Sequence, residues 1–284
     1  MDLHEMLMTR KLVGGGGSGG GGGSGGGGGW DGHYKSAYPV SIGDYFYYGD
    51  DNLKSININV PYNLYADLQH CNIGKRACFA SKTLETVTLR FPNKGSTVSL
   101  DENSFAGSAV KTVSISADDS IHIGYASFSG SDIEEISTSI SNNGVSLGRE
   151  AFLYCTKLKS VRFHRISAVG ESAFADCFSL EKIKLNDCDT ISENAFARCT
   201  NLKALIIDTN GCQIDITAFL DSGIATADGV PTGEGFVYVS ERGYETTVAH
   251  LVEQATVVLG DAATAEYIVR AMLRKIEDYP EICG

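Results

Sequence analysis

The sequence predicts a repeat solenoid of the α/β kind, each coil supplying one short strand and one helical or 3-10 turn. Three observations predict it: a 22-residue period in the middle of the chain, fixed residue types at fixed offsets within that period, and an alternating apolar ending to each unit.

The period is read by laying the chain against itself. SLGREAFLYCTKLKSVRF from Ser146, AVGESAFADCFSLEKIKL from Ala168 and TISENAFARCTNLKALII from Thr190 align without gaps. Phe152, Phe174 and Phe196 are 22 residues apart, as are Cys155, Cys177 and Cys199, and Leu158, Leu180 and Leu202. Looser copies place Phe219 23 residues after Phe196, with Phe128 and Phe105 preceding at intervals of 24 and 23. Cys78 takes the aromatic position in KRACFASKTLETVTL, and Phe46 takes it in IGDYFYYGDDNLKSINI, which makes eight repeats over residues 30–234.

Each unit ends in a strand such as Lys159 to Phe163, where alternation puts Val161 and Phe163 on one face. The Ala-Phe stretch supplies the turn on the opposite wall. One coil cannot bury both its Phe and its Leu, so coils stack around a shared core. Phe105, Phe128, Phe152, Phe174, Phe196 and Phe219 are therefore expected as one ladder, the cysteines and leucines as two more.

These units resemble the bacterial and protist leucine-rich repeats of the BspA or Treponema type, which read close to Ile-Gly-x-x-Ala-Phe-x-x-Cys-x-x-Leu-x-x-Ile-x-Leu-Pro. The resemblance covers Ile42 to Phe219 and departs from the pattern after each strand, where only Pro92 stands in place. It implies a leucine-rich repeat solenoid that presents a surface. It is also similar at its end to such proteins, which close with a strand of the type GEGFVYVSE followed by a helix. Residues 235–284 thus read as a C-terminal cap: Val248, Leu251 and Val252 are at helical spacing, and a second helix starts from Asp261 as N-cap.

Ahead of the repeats, residues 14–29 are only Gly and Ser and read as a flexible linker, with the composition of a natural tether or of a synthetic spacer. The tract lacks the Gly-Lys-Ser/Thr ending of a phosphate loop. Residues 1–13 form a short amphipathic head with Leu3, Met6 and Leu7. The run MDLHEMLMTRKLVGGGGSGGGGGS is similar to the start of minor structural proteins of phages of gut Firmicutes, which implies attachment to a virion through contact of the head with itself or an assembly partner.

A net charge of -12 repels phosphate backbones, so nucleic acid is excluded as a partner. No apolar run approaches the roughly 20 residues that span a bilayer, so membrane insertion is not expected. Met1 to Val13 carries Asp2, Glu5, Arg10 and Lys11 where a secretory signal needs an apolar run, which predicts synthesis in the cytoplasm.

No catalytic, cofactor or metal site follows from spacing. Cys155, Cys177 and Cys199 share one register and read as small buried hydrophobes. Cys71 and Cys78 beside His70 match no zinc template, the six histidines follow no register, and Asp118, Asp119, Asp187 and Asp189 lack a calcium-loop frame. The least repeat-like stretch is aromatic, and Trp30, Tyr34, Tyr38, Tyr45, Tyr47 and Tyr48 are the candidate recognition residues; burial over the first coil is the other reading of these rings. The function expected is non-enzymatic: a recognition surface for a protein or surface glycan, tethered to a larger assembly. A cell-surface adhesin is the alternative, and a carbohydrate-active enzyme a third reading.

Overall fold

Period-two alternation puts Val87, Leu89 and Phe91 on one face of a strand and Thr86, Thr88 and Arg90 on the other. In the computed structural model, which describes residues 33–36, 41–59 and 70–283, this alternation builds two all-parallel sheets. Numbered in chain order, the larger sheet runs β1 (His33–Ser36), β2 (Ser55–Asn59), β4 (Thr86–Phe91), β6 (Thr112–Ala117), β8 (Glu135–Ile140), β10 (Ser160–Arg162), β12 (Lys182–Asn186), β14 (Ala204–Asp208), β16 (Phe236–Val239) and β17 (Leu273–Lys275). The smaller runs β3 (His70–Ile73), β5 (Thr97–Leu100), β7 (Ser120–Ile123), β9 (Gly144–Leu147), β11 (Ile166–Val169), β13 (Thr190–Ile191) and β15 (Gln213–Ile214). Neighbouring strands of a sheet are one coil apart in sequence, so Val87, Val113 and Ile136 lie side by side. The chain is a parallel β-solenoid with a helical region at its C-terminal end.

The third wall is not the helical or 3-10 turn expected from the Ala-Phe stretch. It is a run of tight turns in which alternate N–H groups leave the coil. Phe174 and Asp176 donate to the carbonyls of Ala195 and Ala197 in the next coil, while Ala175 and Cys177 close turns on Ser172 and Phe174. That alternation needs left-handed backbone, and Ser172 and Asp176 have φ of 54° and 62°. Glu150 and Tyr154, and Asn194 and Arg198, repeat the pair at 55–58°. A helix would turn every N–H inward along its own axis; here half of them join coils, and the backbone is satisfied all the same.

The glycine of the Ile-Gly pair has a separate cause. A Cβ on Gly170 would stand 2.6 Å from the backbone of Gly148, and one on Gly148 2.8 Å from that of Gly124. In these coils only a hydrogen fits, whereas Asp101, Ser192 and Asp215 take the same place in other coils.

Inside, the rings of Phe105, Phe128, Phe152, Phe174 and Phe196 stack at 5.1–5.3 Å with interplanar angles of 7° or less. Phe219 follows at 6.2 Å and 16°. Toward the N-terminus the ladder continues through Cys78 and then Tyr47, not Phe46. The Tyr47 N–H donates to Ala77 as that of Phe174 does to Ala195, and Tyr47 is 5% exposed whereas Phe46 is half-buried. Leu158, Leu180 and Leu202 are fully buried in the same core.

The C-terminal end is closed by α1 (Glu241–Leu259) and α2 (Ala262–Met272). Helix α1 buries Tyr244, Val248, Leu251 and Ala255. Its Gln254 side chain donates to the carbonyl of Ile214 at 2.8 Å and accepts from the N–H of Ile216 at 2.9 Å, which satisfies backbone groups at the edge strand β15. Strand β17 pairs with β16, and a 3-10 turn (Ile276–Asp278) and a short helix α3 (Pro280–Cys283) follow.

Phe174→Ala opens a ring-sized gap between two stacked rings that the hydrogen-bonded coils cannot close. Denaturant melts are expected to show a loss of about 3–5 kcal/mol; a loss below about 1 kcal/mol would mean the ladder does not carry the stack.

Candidate functional site

Because apolar residues point inward, the side chains available to a partner are the outward columns of the sheets and the tips of the turns. On the ten-stranded sheet one column runs in register through Asn57, Thr88, Ser114, Ser137, Arg162, Lys184, Ile206 and Tyr238. It is polar as far as Lys184. At Ile206 and Tyr238 it becomes apolar and buried, on the side of the sheet away from the main core.

The turn wall carries a second feature at its N-terminal end. Tyr45 and Tyr48 are 52% and 51% exposed, enough for a ligand to reach both rings. Tyr48 stacks on Phe79 of the next coil at 5.2 Å and 8°, and lies 5.9 Å from Tyr45. The guanidinium of Arg76 sits 6.0 Å from the Tyr45 ring centre and 5.7 Å from that of Phe79, a cation between two ring faces. Tyr47, expected among these rings, points into the core. Tyr34 is on β1, and Trp30 and Tyr38 lie outside the described residues. Phe79 was not singled out from the sequence, although counting 31 residues on from Tyr48 in the repeat frame finds it.

Further along the turn wall, Arg198 donates to both carboxylate oxygens of Asp176 at 2.7 and 2.5 Å. Asp176 is buried, and its carboxylate raises the Arg198 guanidinium further above its ordinary range. This fork ties two coils together and takes up both carboxylate oxygens of Asp176.

The cysteine ladder is chemically quiet. The thiols of Cys155, Cys177 and Cys199 donate to the carbonyls of Phe128, Phe152 and Phe174 in the preceding coil at 3.0, 3.2 and 2.9 Å. Burial pushes the Cys155 thiol up to about 12 and raises that of Cys177 as well, so neither is a thiolate near neutral pH. Serine does the same work elsewhere: Ser81 donates to the carbonyl of Tyr47 at 2.8 Å. The position calls for a small donor.

The other candidates for chemistry do not converge. His70 faces out and bonds Thr97, while Cys71 and Cys78 face the core. Asp118 and Asp119 accept from Asn142 and Asn143 of the next coil, and Asp187 pairs with Arg165. They brace the corners between coils. Among the described residues no group of three or more His, Cys, Asp or Glu side chains is placed to hold a metal ion, and no helix is long and apolar enough to cross a membrane.

The sequence profile of the BspA type leucine rich repeat region matches residues 40–143 and 122–231, in six copies. The chain belongs to the BspA-type leucine-rich repeat family. No curated protein matches it. A leucine-rich cell surface protein of Faecalibacterium prausnitzii, known from a crystal structure, is similar over 66% of this chain and 83% of its own, at 14% identity and a TM-score of 0.22. In this chain the cysteine of the repeat is both buried and a hydrogen-bond donor.

Two outcomes follow for Cys177. The Phe152 carbonyl also accepts from the N–H of Cys155, so the thiol supplies its second bond. Cys177→Ser keeps that second bond and should be the milder change, whereas Cys177→Val loses it at a cost of about 0.5–1.5 kcal/mol. Thermal melts that rank the two the other way would make the site purely hydrophobic. Native protein should also resist alkylation at Cys155, Cys177 and Cys199 until it unfolds, as mass spectrometry of the labelled chain can show.

Proposed function

We propose that the chain is a non-enzymatic recognition module that binds a surface glycan or protein through the ring cluster of Tyr45, Tyr48 and Phe79. The observation that carries this is the exposure of two adjacent tyrosines held in place by a stacked Phe79 and a bridging Arg76. Flat rings with hydroxyl edges, fixed before binding, accept the apolar face of a sugar or a peptide side chain at little loss of side-chain entropy. The polar columns of Ser, Thr and Asn on the larger sheet offer hydrogen bonds along the same stack.

In this reading residues 14–29 act as the tether and residues 1–13 as the attachment point to a larger assembly such as a phage particle. Support for it is the similarity of the head to virion proteins and the composition of the linker. Attachment of an adhesin to a cell surface would use the same binding wall.

Glycan-array or pull-down binding by the full chain should fall at least tenfold, roughly the loss of one hot-spot ring, in Tyr45→Ala/Tyr48→Ala, with the melting temperature little changed. Unchanged binding would remove the cluster from the site, and turnover of a bound polysaccharide would make the chain an enzyme. Deleting residues 1–29 should leave the melting temperature of the repeats in place and abolish incorporation into the assembly; a drop of several degrees would mean that the head packs on the coils.

A further inference from the structure

The outward column of the larger sheet changes character at one place. Side chains in it are exposed or half-buried from Asn57 to Lys184, and then Ile206 and Tyr238 are 0% and 3% exposed. What covers them is the segment that follows β17, beginning with Ile276. Tyr279, Ile282 and Cys283 lie on Ile206, Tyr238 and Ala204, an apolar cluster separate from the solenoid core. Tyr279 meets Tyr238 edge to face at 5.5 Å.

The rim of this patch is cationic. Lys182 donates to the carbonyl of Ile282, and Lys184 to that of Cys283 at 3.2 Å. Both carbonyls belong to the terminal turn α3, whose last oxygens have no partner within the helix, and the two ammonium groups satisfy them. The floor and rim together form a built site: two buried apolar side chains beneath, and two lysines placed for the carbonyl end of a short turn.

The segment in it is lightly held. Of residues 279–283 only Cys283 is fully buried, Tyr279 and Ile282 are half-buried, and Pro280 and Glu281 are exposed. Its anchor is upstream, where the Glu277 carboxylate accepts from the N–H of Glu241 at 3.0–3.1 Å, at the positive end of α1. Lys275 pairs with Glu241 beside it. Residues beyond Glu277 could therefore lift away while the fold of the solenoid and both cap helices stays in place.

We propose that the patch over β14 and β16 is a docking site for a partner peptide, and that Tyr279–Cys283 occupies it in cis as a displaceable latch. The partner has the chemistry of the latch itself: an aromatic and a branched aliphatic side chain three residues apart, in a short turn whose final carbonyls reach Lys182 and Lys184. Without the latch, Ile206 and Tyr238 would lose part of their cover, with Ile276 still packed on the cluster and the Arg274 guanidinium still over the Phe236 ring at 4.0 Å, and an apolar patch opened on an otherwise polar wall marks an interaction site. Tethering gives the latch an effective concentration on the order of millimolar, so a free peptide competes poorly until the latch is weakened.

The test uses the full chain carrying Tyr279→Ala/Ile282→Ala and, as probe, a labelled peptide of residues 276–283. Fluorescence anisotropy should show the peptide binding at least tenfold more tightly to the variant than to the parent, and adding Lys182→Gln/Lys184→Gln should remove that gain. Equal affinity for variant and parent, or no binding to the variant at millimolar peptide, overturns the proposal. A parent chain that dimerises by seating its tail on a second copy overturns it as well. Should the variant fail to fold, hydrogen exchange on the unaltered chain decides. Amides of Ile282 and Cys283 are expected to exchange at least a hundredfold faster than those of β14, by local opening. Equal protection would make the tail a fixed part of the cap.

Discussion

Everything in this molecule depends on backbone hydrogen bonds that run from coil to coil on all three walls. Two walls are ordinary parallel sheets. On the third, the N–H groups of Phe152, Phe174 and Phe196 donate one coil onward at 2.7–2.8 Å, which holds successive turns at the spacing of strands. Equal spacing on every side leaves no room for a coil to tilt. It is what allows the phenylalanine rings to stack face to face at about the same separation as the strands, and what forces glycine at the corner where Gly124, Gly148 and Gly170 meet. The left-handed residues, each costing roughly 1 kcal/mol or more where they are not glycine, persist because the coil above and the coil below fix them.

A stack held this way has ends that it cannot satisfy from within. An open coil shows a row of unpaired strand groups and half of a ring ladder, and such edges recruit other chains. At the C-terminal side the problem is solved three ways at once. Strand β17 pairs with β16, the amide of Gln254 bonds the backbone next to β15, and the apolar face of α1 covers the last core layer. The loss of repeat character after Phe219 therefore reflects a change of task, from propagating the stack to ending it.

How much of this could be read from residues alone varied with the kind of signal. The 22-residue period was plain because stacked coils must present the same shape, and shape recurs as residue type: Phe over Phe, Leu over Leu. The turn wall was misread as helical because Ala-Phe-rich stretches carry helix propensity, and nothing in Glu150, Ser172 or Asn194 announces a positive φ. At the N-terminal coil four aromatics in a row, Tyr45 to Tyr48, hid the register. Phe46 looked like the ladder residue, yet the frame set by Ile42-Gly43 and Leu53 selects Tyr47, which leaves Tyr45 and Tyr48 outside. Counting from the Ile-Gly corner would have found it.

The candidate sites were harder to read for a physical reason. Core positions are repeated, so they are legible by comparison within the chain, whereas a binding position is a departure from the repeat and has nothing to be compared with. Tyr48 over Phe79 and Ile206 beside Tyr238 are both such departures, aromatic rings in a column otherwise of Ala, Ser and Leu in the first case and apolar side chains in an otherwise polar column in the second. A solenoid makes them informative. Each column has a background set by the other coils, and an outward residue that breaks that background is covered by something or meets something. At Ile206 the cover is visible in the chain itself; at Tyr45 and Tyr48 the rings stand open, and their order comes from neighbours within the stack rather than from a ligand.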